Sequence, residues 1–250
     1  MNDYRLYIFL GFLTLFIFLE YFFPFHSRTT QRSRRWPVNL SIIIIASFIA
    51  RLIFPLSLAE FAVLIGEKNL GIFNQIEVAG NVKVILGIIL LDFFIYLQHI
   101  ASHRFNFLWR IHRVHHADVD LDATTALRFH PLEIVLSLIY KGLLIALFGF
   151  SASTVLMFEI ILNLTAMFNH SNIHIPHALE NILRKIIVTP QMHLVHHSGD
   201  REEHDNNYGF NLSIWDNLFS TYKQKSNGSI GLPRINNLSL LESLKLPFFK

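Results

Sequence analysis

The 250-residue sequence contains no cysteine. That excludes disulfides, cysteine-bearing zinc sites, iron–sulfur ligation and thiol catalysis. Charge is scarce too. Asp, Glu, Lys and Arg make up 16% of residues, against about 25% in a soluble domain. Hydrophobic residues make up 52% and mean hydropathy is +0.40, a membrane-protein composition. Two motifs are missing as well. There is no Gly-x-Gly-x-x-Gly dinucleotide fingerprint. There is no His-Glu-x-x-His either, since His112 is followed by Arg113 and His193 by Leu194. Net charge is a modest +3, and the basic residues stand beside apolar runs. They read as orientation signals in a membrane, which leaves nucleic acid out as a partner.

The apolar runs come first in the chain. Residues 6–25 form a run of spanning length, interrupted only by Glu20. No small-x-small cleavage site follows, so the run is expected to remain as a span. A basic loop with Arg28, Arg32, Arg34 and Arg35 comes next. Residues 40–65 are apolar again, and Arg51 and Pro55 inside them predict a kinked or split helix. Residues 84–98, 131–150 and 154–168 complete five expected spans. Residues 179–188 carry apolar side chains at helical spacing with Glu180, Arg184 and Lys185 opposite, which predicts a helix on the membrane surface. Residues 205–209 read as a turn, and 223–250 as a polar tail with a final amphipathic patch. No domain boundary is visible, so residues 1–250 are expected to form a single membrane domain.

Histidine is the residue in excess. His99-x-x-x-His103, His112-x-x-His115-His116 and His193-x-x-His196-His197 place eight imidazoles in three clusters. Residues three and four apart share a helix face, so each cluster offers neighbouring nitrogens to a metal. A zinc ion takes about four ligands; eight suit two ions that each keep open positions. Imidazole binds iron, copper, nickel and zinc alike, so the ligand type does not choose the metal. Asp92 lies on the same helical stripe as His99 and His103. An acid inside a span faces a partner, here either a metal-bound imidazole or a bond to Arg51 or a neighbouring helix.

Topology gives an independent check. With five spans, the ends of the first, third and fifth share one face, and every histidine cluster falls there. The four-arginine loop is on that face too, which makes it cytoplasmic by the positive-inside rule. The expected fold is an all-α, integral-membrane helical bundle with a cytoplasmic, histidine-rich helical cap.

These motifs resemble the fatty acid hydroxylase superfamily, the sterol desaturase family of membrane di-iron oxygenases. The matching residues are the three histidine clusters, Leu108-Trp109-Arg110, Arg128-Phe129-His130-Pro131-x-Glu133, Asn169-His170 and Asn207-Tyr208-Gly209. They cover roughly residues 85–225 of the chain. Residues 124–131 are most similar to the bacterial branch related to alkylglycerol monooxygenases. The resemblance implies a non-haem di-iron centre that hydroxylates or desaturates a lipid with dioxygen. It carries over His99, His103, His112, His115, His116, His193, His196 and His197 as ligands, and adds His170. His130 matches a family position, with a ligand role and an orienting role both open. Asp92, Glu133, Asp205 and Asn207 are candidates for hydrogen-bonding the ligand rings; Asp205 and Asn207 would also serve simply to shape a turn. His26, His174, His177 and His204 are expected at the surface. The substrate is expected to enter from the bilayer, and electrons must come from a separate donor. The implied location is a bacterial inner membrane. Zinc is expected to occupy the sites in some preparations.

Three other functions fit a histidine-rich membrane protein. A zinc-dependent hydrolase is disfavoured by the missing His-Glu-x-x-His. A bis-histidine haem protein needs facing histidines within the spans, and a divalent-metal transporter a site near the midplane. Here the histidines crowd at span ends.

Overall fold

The computed structural model describes residues 2–225, 229–235 and 237–249. It is all-helical; among the described residues the only β pairing is three isolated bridges. Five segments are long and apolar enough to cross a bilayer. They are built on α1 (Asn2–Phe22), α2 (Arg32–Ile53), α5 (Gly80–Arg104), α7 (Pro131–Phe148) and α8 (Ala152–His170). The second segment extends to Gln75 and also holds α3 (Leu58–Glu67) and α4 (Ile72–Gln75).

The second apolar run is split, as Pro55 predicts. Phe54 leaves helical geometry at φ −118°, ψ 89°, the restriction a following proline imposes. Ser57 then restarts the chain as α3 through a capping box with Glu60. Short α3 packs across the far ends of α7 and α8. There Gly71 and Gly149 both hold positive φ, and a Cβ on Gly71 would collide with the Gly149 backbone.

Side-chain bonds fix the helix directions. Arg5, at the start of α1, donates to Glu159 early in α8 at 2.6 Å. Glu20, near the end of α1, accepts from Asn172 N just past α8 at 3.2 Å. α1 and α8 are therefore parallel. α5 runs with them: Gly87 lies close enough to Thr154, early in α8, that a Cβ would meet its methyl at 2.6 Å, and His99 late in α5 lines the same cavity as Ala166 late in α8. α2 and α7 run the other way. The ends of α1, α5 and α8 thus meet at one end of the bundle, which carries the cap.

The cap contains α6 (Asn106–His116), α9 (His177–Leu183), α10 (Pro190–His196), α11 (Arg201–His204), α12 (Ile214–Leu218) and α13 (Leu240–Lys245). A buried polar lock ties it to the spans. Arg35 grips Asp118 through two bonds of 2.6 and 2.7 Å and reaches Asp122 at 2.8 Å. Burial pushes the Asp118 carboxyl up, but Arg35, together with Arg128 and Asn39, outweighs it and holds the group below the usual carboxylate range. The basic stretch is therefore not a free loop. Arg28 and Arg32 face Glu20 at 3.5 and 2.8 Å, and the α2 helix begins within the stretch. Burial of Asp118 and Glu20 demanded partners, and the neighbouring arginines supply them.

Two other expectations change. Glu180 does not sit on a polar outer face. It is fully buried, accepting from Thr189 and from Arg184 at 2.6 Å. The C-terminal segment is no loose tail. Arg128 donates to Ser243 at 2.9 Å, and Arg113 donates to the carbonyl of Leu246 at 2.6 Å. Residues 226–228, 236 and 250 of that tail lie outside the described residues.

Candidate metal centre

Four helices deliver the histidines. His99 and His103 are one turn apart at the end of α5, and His170 closes α8. His115 and His116 are in the last turn of α6, with His112 one turn before His116. His193 and His196 are on α10, with His197 as its C-cap. Pro190 at the first turn and the Thr189 hydroxyl, accepting from Met192 N at 3.4 Å, start α10 cleanly.

The rings assemble into two groups. His99, His103, His112, His116 and His196 form one, and His115, His170, His193 and His197 the other. In each, the nitrogens lie within 4.8 Å of one another. Each His-x-x-His-His motif is divided between them. All nine rings are buried, none more than 5% exposed.

Hydrogen bonds determine which nitrogen of several rings carries the proton. Nδ1–H donates to a carbonyl in three: His99 to Tyr208 at 2.8 Å, His196 to Asn206 at 2.8 Å and His170 to Ala166 at 2.7 Å. His112 donates from Nδ1 to Glu133 at 2.6 Å, and His103 to Asp205 at 3.4 Å. A neutral imidazole so held keeps its lone pair on Nε2. Burial pushes His115, His116, His193, His196 and His197 well below 6.5, and neighbouring imidazoles push further. These rings are neutral and ready to ligate.

The Nε2 atoms converge in a way hydrogen bonding does not explain. That of His170 lies 3.0 Å from His115 Nε2, 3.0 Å from His193 Nε2 and 3.2 Å from His197 Nε2. His170 has already spent its proton on Ala166, so its one lone pair can accept a single hydrogen bond. Three nitrogens crowd around it. The Nε2 atoms of His99 and His112 meet at 3.2 Å. Two nitrogens each about 2.1 Å from one ion stand about 3.0–3.4 Å apart at coordination angles of about 90–109°. Several buried nitrogens, among them His103 Nε2, His196 Nε2 and both of His116, have no hydrogen-bond partner. The donor set of each group therefore fits metal binding.

Glu133 and Asp205 touch ligand-type rings. Asn207 does not: with φ 55°, it donates to the carbonyls of Met192 at 2.9 Å and Lys223 at 2.8 Å, pinning the loop that presents the Asn206 and Tyr208 carbonyls. Asp92 bonds neither an imidazole nor Arg51. It accepts from the backbone N–H groups of Asn211 and Leu212 and from Trp215 Nε1 at 2.7 Å, bracing the same loop. His130 stands outside both groups. It caps α7, accepting from Leu132 N at Nδ1 and donating from Nε2 to the Leu244 carbonyl. His174 and His177 are exposed. His204 is not: it is buried and stacks on Trp109, ring centroids 5.0 Å apart.

Sequence reasoning missed the carbonyls of Ala166, Asn206 and Tyr208, because a backbone oxygen leaves no trace in residue type. It also missed Asp216, which accepts from Tyr208 N and Gly209 N at 2.8 Å each. Phe129 lies in the Arg128-Phe129-His130-Pro131 motif. It stacks on His115 at 4.3 Å and 12°.

A cavity of about 200 Å³ begins at His99, His112 and Glu133 and runs among the spans, past Phe9, Ile95 and Leu162, to Lys141 and Asn163. A second, about 250 Å³, shares Gln98, Ser102 and Glu133 with it and is walled by Leu97, Leu136 and Tyr140. Ser137 bonds Gln98 at 3.4 Å between them.

The chain is similar to several curated proteins. Ornithine lipid hydroxylase OlsE of Rhizobium tropici is 28% identical over 169 residues, 66% of this chain and 50% of that protein. Alkylglycerol monooxygenase of Homo sapiens is 31% identical over 160 residues, 63% of this chain and 34% of that protein. That of Danio rerio is 32% identical over 134 residues, 52% and 28% respectively. The aligned region thus spans half or less of these relatives. No solved structure matches significantly. The model of the family described as "Fatty acid hydroxylase" matches residues 84–221, which take in all nine grouped histidines and more than half of the sequence, and the chain belongs to that family.

Proposed function

We propose that the chain is a membrane lipid hydroxylase whose two histidine groups each hold one iron ion. The observation that carries this reading is the pair of buried, converging imidazole sets, one of which reaches a largely apolar cavity between spans through His99 and His112. His99, His103, His112, His116 and His196 would hold one ion. His115, His170, His193 and His197 would hold the other. Iron there would supply the dioxygen activation that an unactivated C–H bond requires.

The protein's own groups do the rest. The carbonyls of Ala166, Asn206 and Tyr208, with Glu133 and Asp205, keep five rings oriented with Nε2 inward. The apolar walls admit an alkyl chain and exclude water from the mouth. The second cavity offers a lateral path from the bilayer past Gln98. Electrons come from a separate donor. The relatives' printed names, a lipid hydroxylase and monooxygenases, favour hydroxylation over desaturation. The cap faces the cytoplasm in this reading; reporter fusions near the two ends of the chain should report opposite sides.

Lipids from cells with and without the protein are compared after growth in ¹⁸O₂. A lipid heavier by one labelled oxygen is the expected product. A new double bond without label would mean desaturation. Turnover without oxygen would return the zinc hydrolase reading.

A further inference from the structure

The nine grouped rings are buried, and the cavity that reaches two of them is largely apolar, so a hydrated ion cannot pass to them that way without shedding its water in a low-dielectric wall. One feature of the cap eases that passage. His103, His204 and Asp205 form a third set whose ligand atoms lie within 4.8 Å of one another. It shares His103 with the five-histidine group. We propose that His204 and Asp205, backed by His103, form an outer loading site for a divalent metal ion bound for the buried groups. The inference rests on the reading that those groups bind metal.

The geometry is specific. The Asp205 side chain is 21% exposed, and it is the one carboxylate in the three sets. A carboxylate suits a dication that still carries water, and imidazoles suit it as water leaves. His204 donates from Nδ1 to the Ser198 carbonyl at 3.0 Å, which leaves its lone pair on Nε2. Trp109 holds the ring flat, with an interplanar angle of 18°. The same indole lies against His103, centroids 4.9 Å apart.

His103 stands between the two sites. Its Nδ1 faces Asp205 at 3.4 Å, and its Nε2 is buried without a partner. A neutral imidazole has one lone pair, so the ring serves the outer ion or the inner ion, never both. That makes it a hand-over point. Arg201, 75% exposed, donates to the other Asp205 oxygen at 3.2 Å. It holds the place of the cation and swings into water when the ion arrives.

The test uses the full chain in detergent micelles, stripped of metal and mixed with Co²⁺. Filling is followed by cobalt absorbance, and content by metal analysis after gel filtration. His204→Phe keeps the stack on Trp109 and removes the nitrogen. Asp205→Asn keeps the size and an oxygen for His103. Both variants should fill about tenfold or more slowly, the scale of losing a supporting metal contact, and His204→Phe, which leaves the hydrogen bonds of all nine grouped rings in place, should reach the wild-type final content. Filling at the wild-type rate in either folded variant overturns the outer site. A wild-type chain that retains fewer than two Co²⁺ ions overturns the two-ion reading instead.

Discussion

Glu133→Leu separates the two histidine groups, because Glu133 bonds only His112 and His112 belongs only to the five-histidine group. The carboxylate, 15% exposed, accepts from His112 Nδ1 at 2.6 Å. Leucine removes the acceptor, and the ring is then free to turn or to carry its proton on Nε2, where it cannot ligate. A hydrogen bond to a charged group contributes about 1.5–3 kcal/mol. At about 1.4 kcal/mol per power of ten, the affinity of that group should fall by one to two powers of ten. Losses on mutating such supporting residues are typically about 10–100-fold. Competition of the stripped protein against a coloured chelator for Co²⁺ yields one affinity per group. One should drop by that amount and the other should stay. Glu133→Gln keeps an oxygen and should lose less. Melting curves control for damage to the first turn of α7. Two unchanged affinities in Glu133→Leu, or two that fall together, would refute the assignment of Glu133 to one centre.

His170→Ala should empty the four-histidine group and lower metal content by half, since its Nε2 meets all three of the other rings; two ions retained would remove His170 from the site. Arg35→Met should destabilise the fold by about 3–5 kcal/mol, because Asp118 and Asp122 lose a buried partner. Exposed Arg34→Met should stay within about 0.5 kcal/mol, and equal denaturation midpoints for the two would show the lock to be idle. The buried histidines of the cap set a pH dependence for the metal-free protein. Their pKa values lie well below 6.5 in the fold, so below about 6.5 the unfolded chain binds protons that the folded chain refuses. Stability is therefore full above that pH and declines as pH falls beneath it. Melting at pH 7.5 and 5.5 should give a lower midpoint at 5.5, and identical midpoints would mean that the rings are not held neutral.

The sequence alone determined the membrane character, the five apolar segments and the three histidine clusters. These are statements about composition and local period. Apolar length reports a span directly, and side chains three and four apart share a face whatever the tertiary context. The break at Pro55 belongs to the same class, since a proline constrains its own backbone and that of Phe54. Only the tertiary structure decided which ring joins which group. His115 turns away from His112 and His116, and His196 away from His193 and His197, because the rings of one turn point tens of degrees apart and face different neighbouring helices. The structure also settled Asp92, which the helical stripe placed near the histidines but which braces Trp215 and its loop. It reversed the surface expectation for His204, whose burial depends on Trp109, a partner far off in the chain. The basic stretch changed meaning for the same reason. Arg35 reads as an exposed charge until Asp118, more than eighty residues away in sequence, closes on it at 2.6 Å. Long-range pairing between buried polar groups leaves no periodic signal, and the carbonyls that orient the rings leave no signal at all.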